Sequence, residues 1–282
     1  MIILTADDYA MTEGISRGIQ ELARARRLSA ASVMTTMPGW PAAAAAIKAE
    51  RSGLAIGLHL NLTLGAPLGP MPRLAPTGRL PTLAALIRRA LTRALDPAEI
   101  VAETGRQLDR FTDVLGFPPD HVDGHQHVHV LPGVRGPLLA ELARRFQPAS
   151  VLVRVPAGRT RAATANPKAL LVAALAAGFG AAARTHGFAT NDSFAGFSAF
   201  DTRQPFGAEL DRALRAGAGA SRHIVMCHPG YPDAELAALD AVVARRRQEL
   251  DAMAADATLP ARIWHPTRRP DGAPVAWERV AA

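Results

Sequence analysis

Short apolar runs alternate with longer stretches of alanine, leucine and arginine along the whole chain. Ile2 to Ala6 reads as a buried strand that ends on two acids. Ala30 to Met34, Leu54 to Leu62, His121 to Val130, Val151 to Val155 and His223 to Cys227 read as further strands. Helices are predicted between them. Ile15, Ile19, Leu22 and Ala23 share one face of a helix over Ile15 to Ala25. Others cover Trp40 to Ala49, Thr82 to Ala94, Gly133 to Arg145, Ala169 to Ala183, Phe206 to Ala216 and Leu236 to Ala255, while Asp96-Pro97 caps and opens one through Leu115. Gly65 to Pro81, rich in glycine and proline, reads as a long loop. End-to-end alternation implies parallel strands with covering helices. Seven or eight such units in 282 residues suit an α/β barrel better than an open sheet, and no compositional break divides residues 1–282 into more than one domain.

Composition narrows the picture. The chain has one cysteine, Cys227, so an internal disulfide and a cysteine-based zinc site are both excluded. Met1 to Asp8 has no basic segment and no long apolar run, which is unlike a secretory signal and leads us to expect the cytoplasm. The longest apolar stretch, Ala169 to Ala183, is too short to span a bilayer. It reads as a buried helix, with room for a lipid-linked substrate or a homodimer interface. The formal charge of +7 is almost all arginine, since only Lys48 and Lys168 are lysines. The arginines, Arg245, Arg246 and Arg247 among them, sit in helical stretches and are expected on solvated faces. With 5% aromatics there is no interleaving for base stacking, so no nucleic-acid partner is expected.

The chemistry lies where acids and histidines fall. Asp7-Asp8 ends the first strand, His59 lies near the end of the third, and His228 follows His223 to Cys227. In a strand, His125, His127 and His129 share one face. Each buried imidazole needs a partner, and clustered imidazoles can share a divalent metal. Strand spacing spreads the three over ~13 Å, so one metal ligand and one or two substrate contacts are expected. Asp8, His59 and one histidine of the triplet supply the three protein ligands of a hydrolytic zinc site. Successive residues of a strand point to opposite sides, so Asp7 and Asp8 can hold different jobs, one on a cation and one taking a proton from water. His228 is placed to protonate a leaving amine. No Gly-x-Ser-x-Gly elbow, Gly-x-Gly-x-x-Gly fingerprint or P-loop occurs.

Five segments carry a resemblance. Thr5-Ala6-Asp7-Asp8-Tyr9-Ala10-Met11-Thr12 resembles the N-terminal signature of the YdjC-like (ChbG/HpnK) carbohydrate deacetylases, with Thr5, Tyr9 and Ala10 as departures. Ile56 to Thr63, with His59 and Asn61, is similar to the second motif of that family. Val122 to His129, with Gly124 where serine is common, resembles its histidine motif; Val153-Arg154-Val155-Pro156 and Met226-Cys227-His228-Pro229-Gly230 resemble its later ones. The resemblance covers nearly the whole chain. It implies a distorted (β/α) TIM-like barrel and metal-dependent removal of N-acetyl groups from amino sugars. It implies Asp8, His59 and His125 as metal ligands, Asp7 as base and His228 as acid or transition-state stabiliser. His127, His129, Arg154 and Asn61 would line the substrate pocket. The family is described with magnesium, whereas two imidazoles and one carboxylate suit zinc. A metal-dependent hydrolase of another bond, such as a phosphoester, and a catalytically silent carbohydrate-binding relative are the alternatives. Asn191, Asp192 and Ser193 could bond sugar hydroxyls or serve as turn residues.

Overall fold

The computed structural model describes residues 1–157, 167–267, 275 and 277. Eight parallel strands form one sheet: β1 Ile2–Tyr9, β2 Ala30–Val33, β3 Ala55–Leu60, β4 His121–Gly124, β5 Leu152–Val153, β6 Ala189–Thr190, β7 Ser193–Ala195 and β8 His223–Cys227. The spatial order is β6-β5-β4-β3-β2-β1-β8-β7. Its two edges, β6 and β7, are separated in the chain only by Asn191 and Asp192. A single segment therefore pairs with β5 at one end and with β8 at the other, and the sheet curls into a distorted TIM-like barrel.

The helices cover the outside. α1 Glu13–Arg24, α2 Trp40–Ala49, α3 Leu83–Leu91, α4 Pro97–Leu115 and α5 Arg135–Arg145 follow the predicted spans to within a few residues. Local chemistry sets their ends. The Thr12 hydroxyl accepts from Ile15 N at the start of α1, and Asp96 accepts from Ala98 N with Pro97 opening α4. Two long helices expected from the sequence are each broken. Ala169 to Ala183 divides into α6 Pro167–Leu175 and α7 Phe179–Thr185 at Gly178, whose φ of 75° a helix cannot hold. Leu236 to Ala255 divides into α9 Ala234–Leu239 and α10 Ala244–Ala255, with α8 Phe206–Arg215 before β8 and α11 Leu259–Arg262 after.

Every strand of β1 to β4 is buried nearly throughout, so alternation is invisible in hydrophobicity. Period two survives in residue chemistry. The inner, lower layer is Ile3, Ala30, Ala55, Leu152, Phe194 and Ile224, closed by Val275 and Trp277. Two or four residues further along the same inward files stand Asp7, Ser32, His59, Arg154 and His228. The barrel interior is apolar below and ionisable above, at the C-terminal ends of the strands, where sites on this architecture form.

Candidate active site

β1 carries Asp7 on its inward file, after Ile3 and Thr5. Regular alternation would turn Asp8 outward. Instead Asp8 has φ 69° and Ala10 φ 72°, and the β1–β2 register slips between Ala6 and Tyr9. This bulge brings both carboxylates to the same cavity, which corrects the expectation that they point to opposite sides.

The histidine motif also departs from a strand. β4 stops at Gly124, and His125–Val130 is a 3-10 turn in which Gln126 and His127 are left-handed, φ 53° and 59°. His125, His127 and His129 therefore do not share a strand face. His125 turns to Asp8, with Nδ1 2.8 Å from Oδ1. His129 folds back, Nε2 donating to Arg154 O at 3.0 Å, and packs so close to Gly124 that a Cβ there would stand 2.9 Å from its Nδ1 and require the ring to shift. His127 packs between Phe194 and Phe197.

The three expected ligands do converge. Asp8 Oδ1 lies 2.8 Å from His125 Nδ1 and 3.3 Å from His59 Nε2, and all three side chains are buried. Donor atoms of Asp8, His59 and His125 lie within 4.8 Å of one another, close enough to hold one metal ion. The surrounding bonds fit that use. His59 Nδ1 is 2.5 Å from Asp123 Oδ1, which orients the ring and directs Nε2 at Asp8. Asp123 Oδ2 in turn accepts from Ser32 Oγ at 2.6 Å and pairs with Arg154 at 2.5 Å. A carboxylate and two imidazoles, one with its second nitrogen held by an acid, form a donor set suited to a divalent cation.

Arg154 joins this shell to Asp7. Its Nη1 and Nη2 donate to the two Asp7 oxygens at 2.7 and 2.6 Å. Arg154 is buried against the barrel interior and does not line the cavity, so it holds acids rather than substrate. His129 and Asn61 are likewise behind the cavity wall. Asn61 ties its own loop, donating to Thr36 Oγ1 and Leu64 O at 2.7 Å each. Of the four residues expected against substrate, His127 alone lines the cavity. Asn191 is a structural splint: it accepts from Val155 N and donates to Val155 O, replacing a missing strand partner. Asp192 accepts from Arg222 N, and Ser193 Oγ lies 2.7 Å from His223 Nδ1.

Charge pairing decides protonation. Burial would raise Asp8, but Arg246 and His125 outweigh it and hold the carboxyl well below its ordinary value. Burial would lower His59; Asp123 and Asp7 reverse this and push it up to about 10. Burial lowers His228, and burial with Arg154 nearby holds His129 down at about 4.

The cavity encloses about 400 Å³. Its floor is Asp7, Asp8, His59, His125 and His228. Its walls are mostly apolar, with Leu83 and Ile87 of α3, Leu171, Val172 and Leu175 of α6, and Phe197 and Phe200 beyond β7, while His127, Asp240 and Arg246 add polar groups.

Sequence reasoning missed Arg246, Asp240, Ser32 and Glu249. Arg246 was expected on a solvated face, yet Arg245 and Arg246 are each 1% exposed. Arg246 donates to Asp8 Oδ2 at 2.7 Å and to Asp240 at 2.5 Å. The signal was present: Arg246, Leu250 and Met253 recur at helical spacing on one buried face. Glu249, on the same face, accepts from His228 N at 2.5 Å.

Comparison with known proteins shows the family. The family model described as YdjC-like protein matches residues 1–261. A chitooligosaccharide deacetylase of Serratia marcescens is 33% identical over 239 residues, 84% of each chain. Another, of Enterobacter sp. (strain 638), is 37% identical over 145 residues, 51% of this chain and 56% of that protein, so over this match the chain spans about half its relative's length. In structure, a putative cellobiose-phosphate cleavage protein of Enterococcus faecalis superposes with a TM-score of 0.70 at 21% identity, covering 93% of this chain and 95% of that one. That likeness speaks for the fold.

Proposed function

The chain belongs to the YdjC-like family, and from that membership we propose that it is a metal-dependent hydrolase that removes the N-acetyl group from an amino sugar. The observation that carries this reading is the pairing of two separate carboxylates in one cavity. Asp8 shares an ion site with His59 and His125, and Asp7 stands beside it on a different partner.

A divalent ion held by Asp8, His59 and His125 would polarise the amide carbonyl and acidify a water molecule. Asp7 takes the proton of the attacking water. Arg154 fixes the direction of Asp7 by gripping both its oxygens. His228 stands at the cavity end of β8, neutral because burial lowers it, so it takes up the proton that Asp7 removed from the water and passes it to the leaving nitrogen. His127 contacts the substrate from the wall. His129 and Asn61 act from behind it, by holding the histidine turn and the loop after β3.

One ion per chain is part of the reading. A second group, Asp7, His59 and Asp123, has donor atoms within 4.8 Å. Arg154 is ion-paired with both its acids, and this cation between them disfavours a second dication and two-metal phosphoester chemistry. The donor set favours zinc over magnesium. The reading takes residues 1–282 as one domain working in the cytoplasm; among the described residues no helix is long and apolar enough to cross a membrane. It is tested by stripping the protein of metal and titrating zinc or magnesium back while following acetate release from N-acetylated amino sugars. Ion-dependent release is expected. Silence across mono-, oligo- and lipid-linked sugars, with one ion bound, would reject the deacetylase.

A further inference from the structure

Arg246 reaches into the ion site from outside the barrel. It sits in the first turn of α10, and its backbone carbonyl accepts from Gly230 N at 3.1 Å, next to the segment that carries His228. Its Nε donates to Val242 O at 3.0 Å. Its Nη2 spans two acids, Asp8 Oδ2 at 2.7 Å and Asp240 Oδ2 at 2.5 Å. The guanidinium thus donates to three acceptors through Nε and Nη2, and Arg246 lines the cavity.

Asp8 has two oxygens with different partners. Oδ1 faces His125 and His59, and Oδ2 is taken by Arg246. A carboxylate held this way offers an ion a single oxygen. A unit positive charge at hydrogen-bond distance from a ligand carboxylate also opposes a dication on the other side of it. An arginine here is therefore unfavourable for ion affinity, and its burial requires acids to compensate it, which Asp8 and Asp240 supply.

We propose that Arg246 is a positioning residue that keeps Asp8 a one-oxygen ligand, so that the ion is held less tightly but with a position open for the reacting groups. Asp240 sets the strength of this grip by sharing the same Nη2. This inference rests on the ion site proposed above. Without Arg246, Asp8 is free to turn and chelate with both oxygens, closing the position that the water or the amide carbonyl needs.

Arg246 and Asp240 give the test opposite signs. Calorimetric titration of the ion-stripped full chain with Zn²⁺ compares the parent, Arg246→Met and Asp240→Asn, with kcat and KM measured at saturating ion. Arg246→Met should bind the ion about tenfold or more tightly than the parent, as loss of a nearby like charge predicts. Its kcat should fall at least tenfold while KM changes much less. Asp240→Asn, which leaves Arg246 to Asp8 alone, should bind the ion several-fold more weakly. A merely structural Arg246 predicts weaker binding in both variants together with a fall in Tm, and that result overturns the proposal. Equal or weaker binding in Arg246→Met overturns it too. Should that variant fail to fold, Asp240→Asn decides by affinity and Tm together: several-fold weaker binding at the parent's Tm supports the proposal, and equal or tighter binding, or weaker binding with a fall in Tm, is the contrary result. An unsubstituted protein that binds no ion contradicts both this inference and the ion site on which it rests.

Discussion

At the scale of single residues, the site depends on what stands behind each functional group. Asp123 touches no cavity surface yet holds His59 at 2.5 Å while Arg154 and Ser32 hold Asp123. Burial opposes its charge, but Arg154 and His59 keep the carboxyl ionised and far below its ordinary value. Removing that anchor frees the His59 ring and its tautomer. Asp123→Asn should weaken ion affinity about 10–100-fold, as loss of a carboxylate behind a ligating histidine typically does. Titration of the stripped protein with zinc checks this; unchanged affinity would mean that packing alone orients His59. These residues were legible in different degrees. Asp7, Asp8, His59, His125 and His228 stood out because acids and histidines at strand ends are chemically conspicuous. Asp123 stood in the motif without an assigned role, and Ser32 is an ordinary serine among small strand residues. Its importance arises only from register, which places β2 between β1 and β3.

At the scale of elements, two misreadings have different physical causes. The segment after Asp123 has the alternation of a strand, but two left-handed residues, Gln126 and His127, wind it into a turn. Backbone strain of that kind leaves no trace in hydrophobic period. α10 looked solvated because three consecutive arginines usually are. Arg247 obeys the rule, with its side chain 52% exposed, while Arg245 and Arg246 are drawn inward by Glu209, Asp240 and Asp8. α10 also brings Glu249 under His228. Burial raises this carboxyl from its ordinary value to about 7, although the His228 N–H and the neighbouring Arg246 and Arg245 pull it down. A carboxyl whose pKa is raised on folding favours the folded state fully below about 4.5, and that contribution is lost as pH rises through about 7. Glu249→Gln keeps an acceptor for His228 N and cannot ionise. Its Tm should exceed the parent's above pH 7.5 and lose that advantage below pH 5, read from thermal unfolding across pH. A difference independent of pH would show that Glu249 is not the titrating group.

At the scale of the whole molecule, the barrel was legible from the alternation of short strands and helices, and its closure was not. Closure depends on β6 and β7, two and three residues long, lying at opposite edges of the sheet. The fold concentrates polar chemistry on the cavity floor and leaves the mouth apolar. Leu83, Ile87 and Leu91 follow one another along a face of α3, from the cavity wall to a 61% exposed position. On α6, Leu171 both lines the cavity and is 54% exposed. Such a path suits a sugar that carries an apolar group. Leu171→Asp should raise KM for an alkyl glycoside of N-acetylglucosamine roughly tenfold, the scale of one buried leucine, and leave KM for the free disaccharide little changed. An equal effect on both substrates would place the apolar path outside the binding mode.

The central claim is that Asp8, His59 and His125 hold the ion while Asp7 moves the proton. Ion content and acetate release, measured on the same samples of Asp7→Asn and His125→Ala, separate these roles most directly. Asp7→Asn should retain its ion and lose nearly all turnover, and His125→Ala should lose both. An Asp7→Asn protein that turns over near the parent rate, or a His125→Ala protein that keeps its ion, would contradict the account.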